Sequence, residues 1–278
     1  MSTTTITAAD VNKLRLQTGA GMMDCKKALT EANGDFEAAV DLLRKKGAKV
    51  AANRADRAAS EGCVLAKTTA DGSFGVVLSL NCETDFVAKN EGYVALAQGM
   101  IDLAVANKVK SKEDFLNQNF GGLTVSEKLI EQTGVIGEKL EIGQFEFIEG
   151  TAVAFYIHAG NRLATLVGLT KGGADNIEAG RQVAMQVAAM NPVALDEASV
   201  SKEVIEREIE VGKEQAIAEG KPAEMAEKIA VGKLNKFYKE STLLNQEFIR
   251  DSKKTVKQFL SDTDKELTAT GFKRVALG

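Results

Sequence analysis

The sequence predicts an α+β protein: a unit of three short helices, then a core of two related α+β halves with small antiparallel sheets, the second half carrying a projecting antiparallel helical hairpin. Three observations predict it. The first 50 residues alternate short apolar stripes of helical spacing with Gly-rich and Asn-Gly breaks. A strand, turn and helix pattern that opens at Glu61-Gly62 returns 88 residues later at Glu149-Gly150. Between Val200 and Glu240 eight Lys/Arg and nine Asp/Glu are interspersed along two helical patterns, which suits solvated helices rather than a core.

Taken in order, Ala9 to Thr18 has Val11, Leu14 and Leu16 as its apolar positions and stops at Gly19-Ala20-Gly21. Met22 to Ala32 follows with Met22, Cys25, Ala28 and Leu29 on one stripe, ended by Asn33-Gly34. Asp35 is placed as the N-cap of a third helix with Phe36, Ala39, Val40 and Leu43 inward, and Gly47, after three basic residues, as its C-cap. Ala48 to Ser60 is Ala-rich and charged without a stripe, a helical or semi-flexible linker. Two strand-like runs then flank Asp71-Gly72 and lead to a helix from about Gly92 to Asn107. In the second copy the runs flank Gly160-Asn161 and lead to a helix from Ile177 to Met190. The closing segments also correspond: Thr124-Val125 begins a helix that leads to Gly143–Phe147, as Thr255-Val256 leads to Gly271–Val275. The hairpin falls inside the second copy, with Ser201 to Glu219 and Pro222 to Glu240 as its helices. Ile205, Ile209, Ala216, Met225, Ile229, Leu234 and Phe237 are its expected seam, and Pro222 stands in the first turn.

Composition narrows the function classes. With 44% apolar and 27% charged side chains the chain can bury a full core, so disorder is excluded. No window approaches the roughly 18 consecutive apolar residues of a membrane span, and Met1 to Asp10 has neither the basic flank nor the apolar run of a secretory signal. The expectation is a cytoplasmic protein. Cys25, Cys63 and Cys82 are an odd number without CxxC spacing, so buried free thiols are expected rather than a disulfide framework. Residues 1–57 carry ten Lys/Arg against seven Asp/Glu, and the remainder 25 against 32, which argues against direct nucleic-acid binding. One histidine, His158, would have to serve any imidazole metal site or Ser/His/Asp triad.

Candidate sites reduce to few. Gly19–Asp24 has part of a dinucleotide loop, but it follows a helix and carries Asp24 where the third Gly belongs. His158, at a strand end, is either a base, an interface contact or a merely exposed side chain. A small-molecule enzyme would pair it with carboxylates such as Asp175 or Glu178. The segment Thr84-Asp85-Phe86-Val87 lies between a strand and a helix. Either Phe86 is a core residue and Thr84 or Asp85 an N-cap, or the segment is an exposed acidic-aromatic tip that offers a charge and an apolar wedge to a partner.

Long motifs then carry a resemblance. Thr18 to Asp35 (TGAGMMDCKKALTEANGD) and Asn81 to Asn90 (NCETDFVAKN) resemble the bacterial translation elongation factor Ts family, the guanine-nucleotide exchange factors of elongation factor Tu. The resemblance extends through Tyr156 to Arg162, Val183 to Pro192, Gly220 to Ile229 and Ser252 to Leu260. It implies a ubiquitin-associated-like three-helix domain over 1–54, a linker at 55–60, a first core half over 61–148 and a second over 149–278, the hairpin at about 200–240 being a coiled-coil protrusion. It implies further that Thr84, Asp85, Phe86 and Val87 displace the magnesium ion that holds GDP on elongation factor Tu, so that GTP rebinds, and that His158 lies at the partner surface. No cofactor, metal or covalent chemistry on this chain is implied, and neither nucleic acid nor membrane is a partner. A homodimer is among the assemblies allowed. The competing reading is a non-catalytic scaffold whose three-helix domain recruits a partner.

Overall fold

The computed structural model describes residues 5–278, and Met1–Thr4, part of the expected 1–54 unit and of the stretch searched for a signal, lie outside the described residues. Helices α1 (Ala8–Thr18), α2 (Met22–Glu31) and α3 (Phe36–Asn53) enclose a small core of Val11, Leu14, Cys25, Ala28, Leu29 and Ala39. Thr7 and Asp10 close a capping box on α1, and Gly19 ends it at φ 72°, a left-handed conformation that a β-carbon disfavours. Asp35 caps α3 by accepting the Ala38 N–H at 3.1 Å.

Three expectations are corrected here. Leu16 is 79% exposed because it stands about 200° around the helix from the buried Leu14. Met22, in the first turn of α2, is 58% exposed, beyond the edge of so small a core. Gly47 is no C-cap: α3 runs on to Asn53, and Gly47 is buried against a later helix. A β-carbon on Gly134 would stand 2.4 Å from the Gly47 Cα, so the helix backbones touch where both residues are glycine.

The first half of the core runs β1 (Glu61–Thr68), β2 (Phe74–Cys82), α4 (Asp85–Ala88), α5 (Glu91–Ala106), α6 (Lys112–Leu116), a ribbon of β3 (Asn119–Phe120) and β4 (Leu123–Thr124), α7 (Val125–Ile136) and β5 (Glu141–Glu149). Gly134 lies in α7. The second half runs β6 (Ala152–Ile157), β7 (Leu163–Leu169), α8 (Ala174–Met190), a 3-10 turn at Glu197–Ser199, α9 (Lys202–Ala218), α10 (Ala223–Ser241), a ribbon of β8 (Glu247–Phe248) and β9 (Asp251–Thr255), α11 (Val256–Thr263) and β10 (Ala269–Ala276). The antiparallel sheets have the orders β1-β2-β5 and β6-β7-β10. The repeat is therefore carried into topology: a hairpin, a helix, then a capping-boxed helix, α7 or α11, that returns the third strand beside the second.

Each sheet is covered on both faces, which explains why β2 is apolar almost throughout. One face of the first sheet, with Leu65, Leu78 and Leu80, packs on Tyr93, Ala97, Met100 and Ile101 of α5. One face of the second packs on Ala179, Val183 and Val187 of α8. The remaining faces meet each other through Val64, Ala66, Val77, Val153, Leu166 and Val275, giving the layers helix, sheet, sheet, helix.

The hairpin α9–α10 departs from its expected seam. Gly212, Ala216, Ala226, Ala230 and Leu234 are buried between its helices, whereas Met225 is 52% exposed and Ile205, Ile209, Ile229 and Phe237 are half-buried. The helices approach so closely, with a β-carbon on Gly212 only 3.1 Å from the Ala230 Cα, that small residues fill the seam and long ones are pushed to its rim. Pro222 is the N-cap of α10 rather than a first-turn residue. At the neck, Val193 N–H donates to Ser241 O at 2.8 Å, and Leu243 and Leu244 N–H donate to Ala194 and Leu195 O at 2.9 Å, so the excursion leaves and re-enters the body at one point.

Candidate functional site

The Thr84–Val87 segment stands at the end of β2, the central strand of its sheet. Thr84 is extended and caps α4, its Oγ1 accepting the Val87 N–H at 3.4 Å, while Asn90 caps α5 by accepting the Gly92 N–H at 2.9 Å. One helical turn is thus held between two caps. Val87 and Ala88 pack on the core of the first half, and Phe86 points the other way, 84% exposed. Phe86 is accordingly not a core residue, and Thr84, not Asp85, is the N-cap.

Beneath the tip lies a polar bracket. The Glu138 carboxylate, in the loop between α7 and β5, accepts the Glu83 N–H at 3.1 Å, the Thr84 N–H at 3.0 Å and the Thr84 Oγ1 hydroxyl at 2.7 Å. The Glu83 carboxylate accepts the Lys139 N–H at 2.7 Å and the Arg54 guanidinium, whose Nη1 lies 2.8 and 2.9 Å from its two oxygens. These bonds, first the one from the Lys139 N–H and then those from Arg54, hold the Glu83 carboxyl below the ordinary carboxylate range. The Cys82 thiol, pushed up by burial, donates to Thr84 O at 3.2 Å. On the exposed side Asp85 pairs with Lys89 at 2.6 Å, and that hydrogen bond holds its carboxyl low.

His158 is exposed at the end of β6, its Nδ1 2.9 Å from the Tyr156 hydroxyl. Neither Asp175 nor Glu178 is its partner among the described residues; Glu178 pairs with Arg181 at 2.9 Å. The turn that carries His158 is docked on the first half: Val64 N–H donates to Asn161 O at 2.7 Å, and Arg162 pairs with Glu61. Glu61 lies opposite Cys82 in the sheet, and Arg162 also feels the Asp85 charge. The tip and the histidine turn therefore share one end of the first sheet. Among the described residues no three of His, Cys, Asp and Glu gather as a metal site requires. What the surface offers is an aromatic wedge beside a carboxylate on a fixed mount.

The reading of the sequence missed Lys89, Arg54 and Glu138. Lys89 had a signal, the four-residue spacing from Asp85 on a helix. Arg54 and Glu138 had none, lying 29 residues from Glu83 and 54 from Thr84.

The chain as a whole is similar to known proteins. Residues 83–278 match the sequence model of the family described as Elongation factor TS. A protein of Flavobacterium psychrophilum named Elongation factor Ts is 56% identical over 275 residues, with 99% of each chain covered. Its namesake in Christiangramia forsetii is 53% identical over 98% of this chain and 99% of its own. The one in Cytophaga hutchinsonii is likewise 53% identical, over 98% of this chain and 99% of its own.

Proposed function

The chain belongs to the elongation factor Ts family and serves as a translation elongation factor, and we propose that it binds elongation factor Tu carrying GDP and accelerates GDP release. The observation that carries the reading is the 84% exposed Phe86 beside Asp85 on a turn whose base is braced from two sides. An apolar side chain so exposed costs free energy in water, and a partner's pocket removes that cost. GDP on a GTPase is held through its phosphates and a bridging magnesium ion. Phe86 acts as the wedge that moves the elements framing that ion, Asp85 perturbs its coordination, and Thr84 and Val87 fix their approach. Loss of the ion weakens GDP, and GTP rebinds. His158, on the turn docked at the same end of the sheet, provides a second contact with the partner.

Nothing covalent happens on this chain. Exchange proceeds by linkage: whatever factor bound factor Ts takes from GDP affinity, GDP takes from factor Ts affinity, about tenfold for every 1.4 kcal/mol. The domains follow the same reading. The helical unit 1–54, joined at 55–60 to the halves 61–148 and 149–278, adds a separate contact, and the hairpin at about 200–240 another.

The test loads elongation factor Tu with a fluorescent GDP analogue and follows its release under substoichiometric amounts of this protein. Acceleration by many turnovers per molecule is the expected result. Tight binding without acceleration would instead assign the protein to the scaffolds.

A further inference from the structure

We propose that Glu138 and Arg54 are positioning residues for the tip, setting the direction of Phe86 without themselves touching the partner; the proposal rests on the exchange reading. The need for such residues follows from the size of α4. Four residues make one turn, none of them fully buried, and a single turn does not hold its own shape in water. Its cap is a long hydrogen bond of 3.4 Å. Orientation must come from outside, and the bracket is placed to give it.

Glu138 takes both backbone N–H groups at the point where β2 ends, together with the Thr84 hydroxyl, so a single carboxylate fixes the exit direction of the chain. Glu83, with a side chain only 16% exposed, is held in turn by the Lys139 N–H, which closes a reciprocal pair between the strand end and the loop before β5. Arg54 reaches the same carboxylate from the C-cap of α3. Through it the tip is referred to the helical unit as well as to its own sheet. Charge-assisted bonds of this kind are short and directional, and directionality is what a wedge requires.

The experiment measures GDP release from elongation factor Tu against the concentration of this protein, separating the maximal rate from the half-saturating concentration. Glu138→Ala should lower the maximal rate about tenfold and leave half-saturation within about threefold, because the exposed contact surface is still present. Glu138→Gln should recover the maximal rate to within about threefold, since its amide oxygen accepts both N–H groups and its amide nitrogen donates to Thr84 Oγ1. Arg54→Ala should lower the maximal rate about threefold and Arg54→Lys restore it, because one nitrogen, Nη1, makes both contacts with Glu83 and an ammonium can take its place, which keeps the proposal open to refutation should Glu138→Ala fold poorly. Amide hydrogen exchange on the free protein should show the Glu83 and Thr84 N–H groups losing protection in Glu138→Ala and regaining it in Glu138→Gln. An unchanged maximal rate in Glu138→Ala and Arg54→Ala, or equal losses in the alanine and the conservative variants, overturns the proposal. A wild-type protein that does not accelerate GDP release from elongation factor Tu overturns the exchange reading itself, and with it the role assigned to these residues.

Discussion

The two halves build the same three-stranded sheet and part company just beyond its middle strand. In the first, β2 is followed by Glu83, whose carboxylate is tied to the loop before β5, and then by the tip with its exposed Phe86. In the second, β7 is followed by Thr170 and Lys171, and Lys171 is tied to the loop before β10 through Asp264 at 2.8 Å and Glu266 at 3.0 Å. An offset of 88 sets Lys171 on Glu83, so the tie recurs with its charge reversed. Beyond it the second half has Gly172-Gly173-Ala174 and enters α8 with no aromatic at all. The tie therefore belongs to the architecture and the wedge does not. A function of the tip is something added to a joint that the fold needs in any case.

Removing the wedge and leaving the joint should have the largest effect. The Asp85→Ala/Phe86→Ala double variant should reduce the acceleration of GDP release about a hundredfold while the melting temperature stays within about 1 °C, because exposed side chains seldom contribute more than ~0.5 kcal/mol to stability. A large loss of melting temperature would show Phe86 to be structural. Next in size is the layer that the halves share. Leu166→Ala should cost about 3 kcal/mol, as buried leucines do, and urea should still unfold both sheets in one transition. Two separate transitions would mean that the halves are independent and that their differences need no common frame.

A smaller effect sharpens the contrast between the two ties. Lys171→Ala should shift the melting temperature only slightly, as for an exposed pair, with the maximal release rate unchanged. A fall in that rate would make the second tie, and not the first alone, part of the exchange machinery. The smallest expected effect is in pH. The Glu83 carboxyl lies below its ordinary 4.5 in the folded protein, so its contribution is complete above that value and is lost as pH falls through the lowered one. The difference in melting temperature between wild type and Glu83→Gln should therefore be flat from pH 8 to pH 5 and shrink below about 4.5. A difference that shrinks near neutrality would mean that Glu83 is not held as described.

Much of this arrangement is written in local pattern. The Asp71-Gly72 and Gly160-Asn161 turns and the helix starts at Thr124-Val125 and Thr255-Val256 each depend on residues close in sequence, and with the 88-residue offset they predict both hairpins and both returning helices. What the pattern hid depends on approach between distant segments. Gly47 follows a basic run and has every local mark of a C-cap; only the presence of Gly134 beside it shows that it is small for another reason. Met225 has helical spacing for the hairpin seam and is displaced by Ala226 and Ala230, because the distance between the helices was not encoded in either one alone. The exposed Phe86 was legible as one of two alternatives, since an aromatic between a strand and a helix suits a core as well as a tip. The bracket under it was not legible, because a glutamate after a helix has no periodic mark of what it will meet.

Val193 and Ser241 are hydrogen-bonded to each other, so the body is indifferent to how far the chain travels between them. Loop closure grows only with the logarithm of length, and each residue added to both α9 and α10 extends the arm by about 1.5 Å. The arm is a ruler whose span can change by whole turns while the sandwich beneath it stays as it is, which makes reach, unlike the aim of Phe86, a property that this fold leaves free to vary.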